Sequence, residues 1–327
     1  MKRTVFFILM LLLLAVLTIT DISCGQVFIN PFGQGLSDVE QQIWFNLRLP
    51  RAITAILAGV ALSLSGLMMQ TLFRNPLAGP YILGVSSGAG LGVALVTMCS
   101  AFGFRAIQYS VGSFGIALAA IIGANLVLLL VMSVARKVRS NVSLLIVGMM
   151  IGSIAGALVS VVQNFANPDS LKLFIVWTLG SLSSVGWSEL QVLTVIVLIG
   201  LIMSVCLIKP LNGLALGENY ARGLGVKVER TRTAIVLATG LLSGGITAFC
   251  GPIAFVGVAV PHIARGILRT ANHQLTVPAC ALVGANLLLV CDILCNLGIY
   301  TLPISTISAL FGAPIIIIIL TSNIKHL

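Results

Sequence analysis

Long apolar runs alternate with short polar breaks along the whole chain. A helix needs about 20 apolar residues to cross a membrane, and ten runs fit that requirement closely enough to be predicted as spans. The eighth run is short and contains Pro261, so it is predicted as a broken or partly inserted helix. The expected fold is all-α, a polytopic membrane protein of about ten transmembrane helices in a single domain, residues 1–327. The predicted spans are residues 4–22, 52–73, 81–101, 111–134, 142–165, 189–208, 232–250, 253–268, 275–297 and 304–323.

Composition excludes an ordinary soluble protein. Of the 327 residues, 58% are hydrophobic and 8% are charged, and the mean hydropathy is +1.13, whereas soluble domains carry about 25% charged residues. The N-terminal run resembles a signal peptide and Cys24 a lipoprotein cysteine, but Asp21 stands where a lipoprotein signal needs an apolar residue. We therefore expect an uncleaved first span. Most of the seven cysteines lie in apolar runs without metal-ligand spacing, so no disulfide, metal site or cofactor is expected.

The basic residues predict the orientation of the spans. With a cytoplasmic N-terminus and alternating spans, 14 basic residues lie in cytoplasmic segments and four on the opposite side. Because basic residues accumulate on the cytoplasmic side, both termini are predicted to be cytoplasmic. The net charge of +10 then reflects topology in a lipid membrane rather than a nucleic-acid partner. The cytoplasmic set is Lys2, Arg3, Arg74, Arg136, Lys137, Arg139, Lys209, Arg222, Lys227, Arg230, Arg232, Arg265, Arg269 and Lys325, and the opposite set is Arg48, Arg51, Arg105 and Lys172.

The longest polar stretch on the predicted cytoplasmic side is residues 209–232, here called the coupling loop. Its four glycines break it into short pieces. The apolar residues Leu214, Leu216, Tyr220 and Leu224 would be stranded in water unless they pack on something. Either two short helices present these residues to the groove of a cytoplasmic partner, or they pack against the ends of the protein's own spans. The spacing alone leaves both interpretations open.

One short motif suggests chemistry on the chain itself. Residues 84–88 read GVSSG, a match to the GxSxG motif of serine hydrolases, and His262 and Asp292 lie elsewhere in the sequence. That motif needs a strand before the serine, and this segment has no strand pattern. An intramembrane serine hydrolase is therefore disfavoured, and no catalytic residue is assigned.

The intramembrane charges bear on the energy source. Asp292 is the clearest ionisable residue within a predicted span, a position that is costly and often functional. An ion-coupled secondary transporter normally carries several such groups, and the sequence offers Asp292 and His262. No GxxxxGKS or GxxxxGKT loop is present to hold ATP phosphates. If ATP drives the protein, a separate subunit must supply the ATPase.

Uncharged polar residues and glycines are candidates for a path and for helix packing. Gln70, Gln163 and Asn164 lie at or near span ends, where they either line an aqueous path or cap a helix. The run 171–187 is too short to span and is predicted as an interfacial hairpin or a gating helix. Glycines at spacings near four predict close helix contacts, and they include Gly59, Gly66, Gly84, Gly88, Gly92, Gly148, Gly152 and Gly156.

Several long motifs in order give a family resemblance. RLPR occupies residues 48–51, and GLMMQTLFRNPLAGPYILGVSSGAG occupies 66–90. Further matching stretches lie at residues 176–182, 214–226, 251–265 and 302–314. With these motifs the chain resembles the FecCD permease family, the membrane subunits of importers for iron-siderophores, haem and vitamin B12, over nearly its whole length.

The resemblance implies a type II ABC importer permease fold in the bacterial inner membrane. It implies a homodimer with two cytoplasmic ATPase subunits and a periplasmic substrate-binding protein, importing an iron(III)-siderophore, haem or cobalamin. The chain would be a transport subunit rather than an enzyme, since ATP hydrolysis belongs to the partner. Family members dock the ATPase through the loop after the sixth span, which assigns that role to Leu216, Gly217, Glu218, Ala221, Arg222, Leu224 and Gly225.

The resemblance also implies a docking site for the binding protein. The family's periplasmic arginines, which accept carboxylates, match Arg48, with Arg51 nearby. Many members carry a DxxxR pattern at the end of the ninth span, whereas this chain has Asp292 followed by Asn296. One expected docking salt bridge therefore lacks its arginine. Separately, LSLSG at 62–66 and LLSGG at 241–245 are weakly similar on oppositely directed spans, which fits an inverted repeat.

Overall fold

The computed structural model describes residues 3–25, 29, 37–98, 113–135, 141–298 and 300–324. Several residues used above lie outside the described residues: Lys2, Cys99, Arg105, Arg136, Lys137, Arg139 and Lys325, with residues 99–101 of the third predicted span and 111–112 of the fourth.

Helices account for the regular structure of the described residues. A π-helical turn, Trp44–Arg48, joins α2 to α3, and a 3-10 turn, Pro80–Leu83, precedes α4. The helices are α1 Arg3–Ser23, α2 Asp38–Ile43, α3 Leu49–Phe73, α4 Val85–Thr97, α5 Ser113–Ala135, α6 Asn141–Asn164, α7 Pro168–Leu179, α8 Trp187–Cys206, α9 Ile208–Ala215, α10 Glu218–Gly223, α11 Val228–Cys250, α12 Val256–Leu268, α13 His273–Asn296 and α14 Ile304–Ile324.

The helices reproduce the predicted order of spans. Seven are long and apolar enough to cross a membrane, and three shorter apolar helices lie at Val85–Thr97, Val256–Leu268 and Ile304–Ile317. In chain order these correspond to the ten predicted spans. The prediction of an all-α, polytopic membrane protein is confirmed.

Helices α3, α11 and α13 form the interior of the bundle. The most apolar stretch of α11 is 78% buried, against 17% for the peripheral helices α1 and α6. Helix α3 meets α13 at Gly59 and Gly284, where a methyl carbon added to Gly59 would lie 2.2 Å from the Gly284 carbonyl oxygen. The two backbones are therefore in direct contact, as the glycine spacing predicted for this part of α3.

Two of the short helices begin inside the bundle. The chain turns back after α3, and α4 begins where Gly84 packs against Gly152, near the middle of α6. It turns again after α11, and α12 begins beside the carbonyl of Leu62. The two turns bond to each other, because the Tyr81 hydroxyl donates to the carbonyl of Ile253 and accepts from its N–H. Irregular backbone inside a membrane protein requires such internal partners.

The structure distinguishes between the alternatives predicted for the eighth span and for the 171–187 run. Helix α12 is short, as predicted, and it continues through Pro261, so the broken-helix alternative is wrong and the partly inserted helix stays a prediction. The 171–187 run contains most of α7, whose first turn is capped by Asn167 accepting from the Ser170 N–H. The run is therefore helical rather than a hairpin, and its gating role stays a prediction. The similar turns after α3 and α11 also fit the predicted inverted repeat.

Candidate functional site

The coupling loop folds as two short helices, α9 and α10, as one of the two sequence interpretations predicted. Glycines form the bends: Gly217 has φ +119° before α10 and Gly225 has φ +81° after it. Side chains larger than glycine rarely adopt such φ values. Leu211, Leu214 and Ala221 are buried and hold the two helices against the bundle.

Ion pairs and hydrogen bonds fix this loop to the membrane helices. The buried guanidinium of Arg232, on α11, lies 3.2 Å from Glu218 on α10 and 3.5 Å from Glu229. On α9, Asn212 Oδ1 accepts from the backbone N–H of His273 and lies 2.8 Å from its ring Nδ1. The other ring nitrogen lies 2.9 Å from the Thr71 hydroxyl on α3. A polar chain therefore links α9 through α13 to α3.

Three large side chains project from this anchored loop into solvent. Leu216 is 64% exposed, Tyr220 55% and Leu224 61%. Leu214, in contrast, is buried, so packing on the protein itself explains only that residue of the four. A rigidly held loop that exposes three large apolar or aromatic residues has the form of a docking surface for another protein. The bends of this surface lie at Gly217 and Gly225. Its anchors are Glu218 and Ala221, and Arg222 forms its basic edge.

The predicted path residues do not share one environment. Gln70 is buried, where its amide donates to the carbonyl of Val258 and accepts from Arg265 at 2.9 Å. Gln163 is half-buried and Asn164 is exposed, both at the end of α6.

Asn164 continues a face of small and polar residues along α6. Ser153, Gly156 and Ser160 are all exposed and follow the helical repeat that ends at Asn164. Both serine hydroxyls donate to carbonyls of their own helix, so neither needs a partner from outside. A different face of α6 exposes Met150, Ile154, Leu158 and Val161, which suits lipid.

A buried group of charges lies at the end of the bundle opposite the coupling loop. Arg51 Nε lies 2.8 Å from Asp292 Oδ2, and its Nη2 lies 3.8 Å from Asp21 Oδ1. Asn296 donates to Asp292 Oδ1 at 3.2 Å. With Arg48, these residues are called the outer cluster. They join the end of α1 to α3 and α13.

Arg48 completes the outer cluster by bonding to the end of α1. Its guanidinium donates to the carbonyls of Ile22 and Ser23 at 3.1 and 2.7 Å. Carbonyls at the end of a helix lack intrahelical partners, and their dipole favours a cation. Arg48 thus stabilises the C-terminus of α1.

The three predicted docking residues thus lie together, but none is exposed. Arg48, Arg51 and Asn296 are 6%, 8% and 7% exposed. Sequence reasoning missed Asp21 as a member of the cluster, although an acidic residue at the end of an apolar run was a usable signal. The intramembrane charge at Asp292 is paired rather than isolated.

The hydrolase alternative has no assembled triad. Ser86 lies 3.4 Å from the Thr247 hydroxyl, and His262 bonds to the carbonyl of Pro76. Asp292 bonds to Arg51 and Asn296. Each of the three residues therefore engages partners outside the supposed triad.

Comparison with known proteins decides the family. The profile of the FecCD transport family matches residues 5–322. The chain belongs to the FecCD transport family. It is 35% identical over 327 residues to the vitamin B12 import system permease protein BtuC of Salmonella typhi, covering 99% of this chain and 97% of the relative. The permease of the same name from Salmonella newport (strain SL254) shows the same identity and coverage.

A solved structure confirms the fold of this FecCD member. A metal-chelate type ABC transporter in an inward-facing conformation superposes with a TM-score of 0.86 at 32% identity, covering 97% of this chain and 98% of the other. The predicted type II ABC importer permease fold is therefore confirmed. The chain is an ABC importer permease, a multi-pass protein of the bacterial inner membrane.

Proposed function

We propose that this permease forms a homodimer that imports a bulky chelate, an iron(III)-siderophore, haem or cobalamin, from the periplasm to the cytoplasm. Two cytoplasmic ATPase subunits drive it and a periplasmic binding protein delivers the cargo. The observation that carries the proposal is the coupling loop, with exposed Leu216, Tyr220 and Leu224 on an anchored base. Transport by alternating access requires such a rigid contact, since a loose one would not transmit the motion of the ATPases.

The orientation follows from the same assignment. The ATPase hydrolyses cytoplasmic ATP, so the end with the coupling loop is cytoplasmic. Helix α1 ends at the outer cluster, so its beginning at Arg3 lies at the cytoplasmic end. Both termini are proposed to be cytoplasmic, in agreement with the distribution of basic residues.

The cargo path is proposed to run along the small and polar face of α6, between two copies of the chain. Ser153, Gly156, Ser160 and Asn164 expose little apolar surface, unlike the lipid-facing side of the same helix. Gln163 borders this face, and Gln70 would join the path only if its bonds to Val258 and Arg265 broke. A path lined by uncharged small and polar residues suits a bulky cargo whose specificity resides in the binding protein.

Docking of the binding protein is proposed at the end that holds Arg48, Arg51 and Asn296. Because these residues are buried, a carboxylate of the partner reaches the guanidinium groups only by replacing Ile22 and Ser23 carbonyls or the Asp292 carboxylate. Docking through the arginines therefore includes an exchange of ion-pair and hydrogen-bond partners.

The Leu224→Asp variant tests the proposed coupling. Leu224 would lie at the centre of a contact with the ATPase, where a buried unpaired carboxylate costs several kcal/mol. We expect normal membrane insertion, loss of ATPase association and no ATP-driven uptake. Leu224→Met is the matched control, since it keeps an apolar side chain of similar size at the same exposed position.

Reconstituted vesicles give the decisive readout. Permease and ATPase are placed in liposomes with loaded binding protein outside, and uptake is followed with and without ATP. Wild-type uptake by Leu224→Asp would refute the coupling role. Uptake driven by a proton gradient without ATP would refute the importer mechanism. Direct binding of haem, cobalamin and ferric siderophores to the binding protein identifies the cargo.

A further inference from the structure

A pocket of about 310 Å³ opens beside the outer cluster, between the end of α7, the end of α13 and the segment that leads into α14. Its polar lining comprises Ser181, Ser183, Thr301, Asn296 and Asp292. Among the described residues that line it, none is basic. The pocket therefore offers oxygen atoms rather than cationic groups.

Asn296 gives the pocket a buried hydrogen-bond acceptor. Its Nδ2 donates to the carbonyl of Asp292 at 2.7 Å and to the carboxylate at 3.2 Å. Both partners are acceptors, so the amide nitrogen must point inward. Its Oδ1 takes no part in these two bonds and can accept a hydrogen bond from the pocket. A donor that enters the pocket would find this acceptor available.

The arginines beside the pocket do not line it. Arg51 lies behind Asp292 and is shared between two carboxylates, those of Asp292 and Asp21. Arg48 points to the carbonyls at the end of α1. Neither guanidinium group therefore belongs to the lining of the pocket.

The surface at this end is also acidic. Asp38 and Asp169 are exposed, and Glu40 and Glu189 are partly exposed, whereas Lys172 is the one exposed basic residue of the described part of these outer segments. Each of the four acids lies in the first turn of a helix, where it complements the helix dipole. Their charge nevertheless sets the potential that an approaching protein meets.

We propose that this pocket receives a lysine or arginine side chain of the substrate-binding protein. The inference rests on the proposed function, because it assumes that a binding protein docks here. A carboxylate in the pocket would meet the Asn296 carbonyl oxygen and no basic residue of the described lining, and the acidic residues of the surrounding surface would oppose its approach. An ammonium or guanidinium would instead satisfy the Asn296 acceptor.

Charge variants at Ser183 test the proposal. Ser183 is exposed and lines the pocket, so Ser183→Lys and Ser183→Glu add opposite charges of similar length. The permease complex in nanodiscs is titrated with its loaded binding protein. We expect Ser183→Lys to weaken binding about tenfold and Ser183→Glu to strengthen it about threefold. Leu297→Lys and Leu297→Glu, outside the pocket, should change binding less than about twofold. Tighter or unchanged binding by Ser183→Lys overturns the proposal.

A second measurement separates this inference from the proposed function. If wild-type permease binds no binding protein, the proposed function fails, and charge-selective labelling still tests the pocket. Ser183→Cys is reacted with a trimethylammonium and a sulfonate methanethiosulfonate reagent, and the reaction of the native cysteines is subtracted using wild type. A higher cation-to-anion rate ratio than for Leu297→Cys supports the proposal, and an equal or lower ratio overturns it.

Discussion

The contact between α3 and α13 allows a quantitative test with alanine at Gly59. The added methyl carbon would lie 2.2 Å from the Gly284 carbonyl oxygen, which is 1.2 Å short of the 3.4 Å of an ordinary contact. The obstacle is helix backbone, so relief requires the two helices to separate by about 1 Å. Overpacking of this kind costs about 1–3 kcal/mol. We expect Gly59→Ala to lower the midpoint of thermal unfolding in detergent by several degrees.

The reciprocal and control variants sharpen this prediction. A methyl at Gly284 would lie 2.3 Å from the Gly59 carbonyl oxygen, so Gly284→Ala should destabilise similarly. Because one separation relieves both clashes, the double variant should cost less than the sum of the single changes. Gly266→Ala, in α12, is the control, since nothing lies within 4 Å of its added methyl. Equal midpoints for Gly59→Ala and Gly266→Ala, or strict additivity in the double variant, would refute the reasoning.

Three further changes test the polar contacts. Arg51→Gln should lower the free energy of unfolding by about 3–5 kcal/mol, because it leaves the Asp292 carboxylate buried without its cation. Adding Asp292→Asn should restore most of this free energy, as measured by chemical unfolding. Tyr81→Phe leaves both backbone groups of Ile253 without the hydroxyl, so a cost of about 1–3 kcal/mol is expected in the same assay. His273→Ala breaks the link from α9 to α3; ATP hydrolysis should continue while uptake per ATP falls, measured together in liposomes.

The number and order of the helices could be predicted from the sequence because hydropathy reports burial in lipid directly. The two short helices of the coupling loop were also accessible, since glycines at positions 213, 217, 223 and 225 divide its apolar positions. The sequence could not decide which apolar residues face solvent. That depends on packing, which buries Leu214 and leaves Leu216 and Leu224 exposed.

The ion pairs within the outer cluster could not be predicted from the sequence, for a different reason. Asp21, Arg51 and Asp292 are separated by 30 and 241 positions, and nothing local indicates that they pair. The sequence likewise could not show the partners of Gln70. This residue was predicted to lie near a path, and its side chain is instead bonded to α12. Local pattern predicts which residues are polar, whereas the fold decides whether they face a cavity or one another.

Helices α3 and α13 are held together at three levels, and this restricts where motion can occur. At the coupling end, Thr71 and His273 are bonded; in the middle, Gly59 and Gly284 are in backbone contact; at the other end, Arg51 pairs with Asp292. Relative sliding of the pair would break all three at once. Alternating access is therefore expected to move α6 and its neighbours against a rigid α3–α13 unit, because only 17% of the most apolar stretch of α6 is buried.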